Sequence, residues 1–280
     1  MRYRPIVFSD VDGTICFHQE INGISVSRQR ENGLYEVSDP RSGSTYLAHD
    51  VSTSSYSIYF AEATRQRLRR LSETYDIVLV TGGRPSTCQK RAPVFDFAKA
   101  VIAENGAVIF DKDFRRDEQW WDQLAPQRTL LQDVREYIRS YDWKTDDEGR
   151  SSAIRVRLKD NPHKDKEKFA RLHERVRLPD GLKSTINLGN LDIVPSMAGK
   201  DHAVAFLRDQ WGVDPSDTVG WGDDINDMPF LGICGKSYVL ASSYPAVLEE
   251  AKRHAWNVTR SHTFDGIHEV IDELMDQGYS

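Results

Sequence analysis

Only three cysteines, Cys16, Cys88 and Cys234, occur in 280 residues, far apart and odd in number. Such a chain is expected to have neither a disulfide framework nor a zinc site, and to work in a reducing compartment. No apolar stretch approaches the ~20 residues that span a bilayer, so no membrane partner is expected. An excess of basic residues is also lacking. The net charge of −6 and pI near 5.8 argue against nucleic acid as a partner. Met1-Arg2-Tyr3-Arg4-Pro5 runs straight into the first apolar segment, so no signal peptide is expected and the expected location is cytoplasmic. In that compartment the glycosylation-like triplet Asn257-Val258-Thr259 carries no meaning. Internal repeats and low-complexity tracts are absent too.

What is present describes an ordinary soluble chain, 39% hydrophobic and 29% charged, long enough for one large domain or two unequal ones. It is organised around Asp10-Val11-Asp12-Gly13-Thr14, which follows the apolar run Ile6-Val7-Phe8. Such a run, bounded by a glycine turn, reads as a buried strand ending in a loop. In open α/β sheets that end is where ligands bind. Two carboxylates side by side there repel unless a cation sits between them. A hard cation such as Mg2+, shared with a substrate phosphate, removes that cost.

Residues 16–58 do not enter a helix. Turn signals at Asn22-Gly23, Asn32-Gly33 and Ser38-Asp39-Pro40 separate short runs such as Ile24-Ser25-Val26, Leu34–Val37 and Thr45-Tyr46-Leu47. These read as hairpin strands, forming either a functional flap or a small subsheet. A β-flap beside the active site is the expected form; the plainer alternative is a surface elaboration used only for packing or dimer contact. A helix with Ala61, Leu68 and Leu71 on one face follows. Ile77-Val78-Leu79-Val80 then reads as a second buried strand. It ends in Thr81-Gly82-Gly83-Arg84, where a hydroxyl and open backbone N–H groups suit a phosphate. Val101–Ala103 and Ala107–Phe110 flank Glu104-Asn105-Gly106 as two strands joined by a tight turn.

The character changes over 113–190. Leu130, Leu131, Val134, Ile138 and Tyr141 mark one amphipathic helix, and Phe169, Leu172 and Val176 a second. Ile154–Leu158, Thr185–Leu188 and Leu191–Val194 read as strands, with one more short strand possible within Tyr141–Glu148. This pattern suits a small α+β unit with two helices on one sheet face. The basic stretch over 163–177 reads as a solvated helix face. From 196 the α/β alternation resumes. Lys200 precedes a helix carrying Ala203, Val204, Leu207 and Trp211. Thr218–Trp221 leads into Gly222-Asp223-Asp224-Ile225-Asn226-Asp227.

Asp10/Asp12, Thr81, Lys200 and Asp223/Asp227, in that order, resemble the four motifs of the haloacid dehalogenase (HAD) superfamily of phosphotransferases. Glu104-Asn105-Gly106-Ala107 and the closing Val258-Thr259…Asp265-Gly266-Ile267 look like its branch with a large (C2-type) cap, which includes the Cof-type sugar phosphatases and sucrose-phosphate phosphatase. The fold this resemblance implies is α/β: a Rossmann-like core with a central parallel sheet flanked by helices, a smaller α+β cap, and here an extended β-flap after the first strand. The division it gives is 1–112 and 191–280 for the core and 113–190 for the cap. The implied function is Mg2+-dependent hydrolysis of a small phosphorylated metabolite, a sugar or polyol phosphate, by a monomer or homodimer.

The resemblance also assigns roles. Asp10 is the nucleophile that forms an aspartyl-phosphate. Asp12 protonates the leaving oxygen and then activates water. Thr81, with Gly82, and Lys200 hold phosphoryl oxygens. Mg2+ is bound by Asp10, the Asp12 main-chain carbonyl, Asp223 and Asp227, with Asn226 supporting. Two other readings share these motifs: phosphoryl transfer of the phosphohexomutase type, and a catalytically silent binding protein. Three features depart from the pattern: Thr81-Gly82-Gly83-Arg84 in place of Thr-Gly-Arg, the long 16–58 segment, and the additional acid Asp224. A moving lid is expected, hinged near Asp111-Lys112-Asp113 and Pro195–Gly199.

Overall fold

Three of the most apolar short runs in the chain lie side by side. In the computed structural model, which describes residues 3–52, 56–140, 143–157, 178–187 and 190–278, β1 (Ile6–Asp10) is buried along its whole length. The chain then forms β2 (Phe17–His18), β3 (Ser25–Gln29), β4 (Tyr35–Ser38), β5 (Thr45–Asp50), β6 (Ile58–Ala61), β7 (Asp76–Val80), β8 (Ala100–Ala103) and β9 (Val108–Asp111). Next come β10 (Ile154–Arg157), β11 (Leu182–Asn187), β12 (Asn190–Pro195), β13 (Thr218–Gly222), β14 (Lys236–Val239) and β15 (Asn257–Val258). The seven-stranded core sheet has the order β15-β14-β13-β1-β7-β8-β9. It is parallel up to β8, with β9 antiparallel at the edge.

Central parallel strands are covered on both faces, which is why they read as unbroken apolar runs. Ile6, Phe8, Val78 and Val80 point into one core with Ala203, Val204 and Leu207 of the Lys200–Gln210 helix. Val7, Ile77, Leu79 and Trp221 point into the other, with Leu68, Leu71, Phe264 and Ile271. The registers pair Asp10 with Val80 and Ser9 with Trp221. Asp10, Thr81 and Asp223 therefore leave the sheet at the same carboxyl edge.

The segment after β1 is a five-stranded antiparallel sheet, β2-β6-β5-β4-β3. It is anchored in the core: Phe17, Ile24, Val37, Ala48 and Phe60 share one apolar cluster with Leu68 and Ile267. The helices Glu62–Leu71 and Thr263–Gly278 meet it there. Within this contact His268 is buried. Its Nε2 lies 2.8 Å from the Thr64 hydroxyl and its ring stands edge-on to Tyr46. Burial, together with the Arg67 charge and against Asp272 and Asp265, lowers its pKa to about 4. The unfolded chain takes up this proton near 6.5 and the folded chain only near 4, so stability falls as pH drops through that window. The loss expected at pH 4 is about 3 kcal/mol. Urea midpoints at pH 7 and pH 4 should show this part of the acid loss in the wild type and lack it in His268→Gln. The same pH dependence in both would contradict it.

The cap sheet is antiparallel, β10-β12-β11. The Ala125–Ser140 helix lays Leu131, Val134 and Ile138 on Ile154, Val156, Leu191 and Ile193. Two boundaries differ from expectation. Asn190–Pro195 is the middle strand of the cap sheet, so the cap runs past residue 190. The Glu118–Gln123 helix belongs to the core, with Trp120 and Leu124 in the core cluster and the Trp120 indole donating to Gly106 O at 3.0 Å. The expected helix of Phe169, Leu172 and Val176, and the basic 163–177 stretch, lie outside the described residues. Within Tyr141–Glu148 the described residues show a single bridge, Thr145 to Val156, in place of a strand. No helix among the described residues is long and apolar enough to cross a membrane.

Candidate active site

Asp10 ends β1 as a buried side chain. Lys200 opens its helix and is 4% exposed. Its Nζ donates to Asp10 Oδ1 at 2.6 Å and to Asp227 Oδ1 at 2.5 Å. Asp223 follows β13, and Asp10, Asp223 and Asp227 each present an oxygen within 4.8 Å of the others. The Thr14 hydroxyl lies 3.0 Å from both Asp10 Oδ2 and Asp223 Oδ1. It has one proton for two acceptors.

Electrostatics follow from this crowding. Burial first, then the Asp227 charge, pushes the Asp10 carboxyl up to about 7, against the pull of Lys200. Burial and the charges of Asp10 and Asp227 hold Asp223 well above the carboxylate range. Burial opposes the charge on Lys200, but the two aspartates outweigh it and raise its pKa. Three buried carboxylates face one ammonium, leaving negative charge that the described protein groups do not cancel. The donor atoms are all oxygen, the set that suits a hard divalent cation.

The loops are built to allow this approach. Gly13 has φ +99°, and a Cβ there would lie 2.2 Å from Asp223 Oδ2. A side chain at 13 would therefore collide with the cluster as well as strain the backbone. Asp227 is the hub of its loop: Oδ2 accepts from the N–H groups of Asp223 (3.1 Å) and Asp224 (3.0 Å). Asp224, the additional acid, caps the turn by accepting from Ile225 N at 2.6 Å. Thr81 accepts from Gly83 N at 3.0 Å. A Cβ on Gly82 would lie 2.8 Å from Asn105 Oδ1, the atom that accepts from Asn226 Nδ2 at 3.2 Å. Asn226 thus ties the acidic loop to the loop after β8.

The structure brings Asp10, Lys200, Asp223 and Asp227 together and sets Thr81 at the neighbouring strand end. The Asp12 carboxylate is turned to Arg91 instead, whose Nη1 lies 2.9 and 3.1 Å from its two oxygens. Sequence reasoning missed Thr14, Arg91, and the contacts that join cap to core. Arg84 Nη2 donates to both Asp146 oxygens at 2.9 and 2.8 Å, and Nη1 to Glu148 O. Asp146 also accepts from Arg157 at 2.9 Å. Buried Glu104 accepts from the N–H groups of Ser151 (2.9 Å) and Ser152 (2.8 Å). The available signal was the second glycine before Arg84, which carries that arginine past the position expected of it.

A parallel-sheet core, an antiparallel cap sheet and an aspartate cluster at the sheet's carboxyl edge define a capped hydrolase. A family profile for haloacid dehalogenase-like hydrolases matches residues 116–271, more than half of the sequence, and the chain belongs to this family. The match takes in the cap, Lys200, Asp223 and Asp227; Asp10 and Thr81 lie before it. The chain is 27% identical over 90 residues to a 5-amino-6-(5-phospho-D-ribitylamino)uracil phosphatase of Bacillus subtilis, covering 32% of this chain and 30% of that protein. Over 87 residues it is 30% identical to an Escherichia coli protein of the same description, covering 31% of each. The matched part is thus about a third of these curated relatives. In fold it is similar to the sucrose-phosphatase of Synechocystis, solved with sucrose and phosphate. The TM-score is 0.62 at 15% identity, over 98% of this chain and 99% of that one.

Proposed function

We propose that the protein is a Mg2+-dependent phosphatase that hydrolyses a small sugar or polyol phosphate through an aspartyl-phosphate on Asp10. The observation that carries this reading is the Asp10 carboxylate itself. It is buried, held by Lys200 on one oxygen and Thr14 on the other, and set beside an oxygen-only cluster. The donor set fits Mg2+, which when bound would offset the charge gathered on the carboxylates and the phosphoryl group. Asp10, Asp223 and Asp227 would hold it, with Asp227 Oδ2 also accepting the two backbone N–H groups that shape its loop. Asp10 attacks phosphorus, Lys200 holds developing charge, and the Thr81 hydroxyl donates to a phosphoryl oxygen. Asp12 protonates the leaving oxygen and then takes a proton from water.

The polar substrate class is supported by the relatives' descriptions and by the cap. Ile154 and Val156 face the cap helix, so Arg155 and Arg157 face the other way. Arg155 pairs with buried Asp192 at 2.5 and 2.6 Å. Lys183 Nζ would lie 3.2 Å from a Cβ on Gly199, beside Lys200. A charged face on the cap suits a leaving group rich in hydroxyls better than an apolar one.

A phosphate-release screen over sugar, polyol, nucleotide and cofactor monophosphates with Mg2+ tests the function. Turnover of at least one sugar or polyol ester is expected, lost in EDTA and only partly recovered by excess Mg2+ in Asp223→Ala. EDTA-resistant hydrolysis would rule out the metal role. Arg84→Ala, which releases the cap loop from the core, should raise KM about 3- to 10-fold for that ester. It should leave an aryl phosphate, which lacks cap contacts, nearly unchanged. Equal effects on both substrates would deny the cap its role in recognition.

A further inference from the structure

We infer that Arg91 is a positioning residue for Asp12, and that the five-stranded sheet inserted after β1 serves the reaction through it. The inference rests on the phosphatase reading above and adds to it how the acid–base carboxyl is held. Arg91 ends the Pro85–Arg91 helix and is 4% exposed. A buried guanidinium is costly unless its donors are met. Here Nη1 is met by the two Asp12 oxygens and Nε by Val51 O at 3.0 Å. Val51 lies directly after β5, its own N–H bonded to Ile58 O at 2.9 Å, so this carbonyl is fixed by the inserted sheet.

The same sheet bounds Asp12 on a second side. His18, in β2, places Nε2 4.0 Å from Asp12 Oδ1, and the Asp12 loop bridges to Cys16 just before β2. Asp12 sits on a turn with its side chain 28% exposed, where a carboxylate would otherwise sample several rotamers. A guanidinium anchored at one end to a rigid sheet, and bonded at the other to both oxygens, selects one orientation. Arg91 itself has no place among the groups proposed to touch phosphate. Its effect on rate must pass through Asp12. The inserted sheet then supplies one wall of the acid–base position.

Leaving-group dependence and a double-mutant cycle test this. The probes are glycerol 3-phosphate, whose alkoxide needs a proton to leave, and p-nitrophenyl phosphate, whose phenolate does not. Arg91→Met should lower kcat/KM, which reports only the steps up to phosphoryl transfer to Asp10, about 10- to 100-fold on glycerol 3-phosphate and several-fold less on the aryl ester. In an Asp12→Asn background the same substitution should change kcat/KM by less than about threefold. Arg91→Lys keeps the charge but cannot span Val51 O and both Asp12 oxygens, and should fall between. If Arg91→Met does not fold, Arg91→Lys is read by the same two criteria. Equal losses on both esters, or losses that multiply with Asp12→Asn, overturn the inference and leave the phosphatase reading standing. If glycerol 3-phosphate is not turned over, the sugar or polyol ester found in the screen takes its place; wild-type protein that hydrolyses no such ester, or Asp12→Asn that retains full turnover of the one used, overturns both.

Discussion

Asp10→Asn is expected to lower kcat by at least about 10^4-fold while the protein stays folded. The substitution keeps the shape of the side chain and an oxygen for Lys200, but an amide is a poor nucleophile toward phosphorus. Its effect on stability has the opposite sign. The folded Asp10 carboxyl titrates near 7 against 3.8 for the free group, chiefly through burial. Between those values the folded state holds the proton that the unfolded chain has released, so metal-free stability falls as pH rises from about 4 to about 7. Removing the charge should therefore raise the melting temperature of the EDTA-treated protein at pH 7. The gain is on the order of a few kcal/mol. A variant that is inactive because it is unfolded would contradict this, as would one that retains substantial turnover.

Lys200→Met should have the largest effect on stability. The ammonium bonds Asp10 and Asp227 at 2.6 and 2.5 Å, all three groups being buried. Taking away the cation strands carboxylates in a low-dielectric site, which costs about 3–5 kcal/mol where one partner of a buried pair is lost. Loss of the charge that faces the phosphoryl group should also lower kcat about 10^2- to 10^3-fold. Chemical denaturation in EDTA reads the first effect, and turnover under saturating Mg2+ the second. Wild-type stability and activity in this variant would remove Lys200 from the site.

The parts of this arrangement that are legible in sequence are those set by local pattern. Ile6–Phe8, Ile77–Val80 and Thr218–Trp221 announce themselves because strands covered on both faces carry no polar alternation. Asp10, Thr81 and Asp223 follow because each stands at the carboxyl end of such a strand. The inserted sheet is legible in its turns at Asn22-Gly23 and Asn32-Gly33, but its attachment to the core is not. Phe60 and Val37 look the same whether they face a lid or a helix.

Long-range pairing was the hidden part. Arg91 meets Asp12 across 79 positions and Arg84 meets Asp146 across 62. An arginine on a short helix reads as a solvated face until its partner is known. The cap boundary failed for a related reason. In β12, Leu191 and Ile193 face the cap helix while Val194 reaches the core cluster, so one apolar run serves two bodies.

The central claim is the covalent intermediate on Asp10, and trapping it is the most direct measurement. Enzyme turning over a phosphate ester with Mg2+ is quenched in acid, treated with borohydride, digested and sequenced by mass spectrometry. An acyl phosphate on Asp10 is reduced to homoserine at that position. The predicted result is homoserine at residue 10 in the wild type, and none in Asp10→Asn or in enzyme quenched without substrate. Steady phosphate release with residue 10 recovered only as aspartate, or with the reduction at another residue, would contradict it.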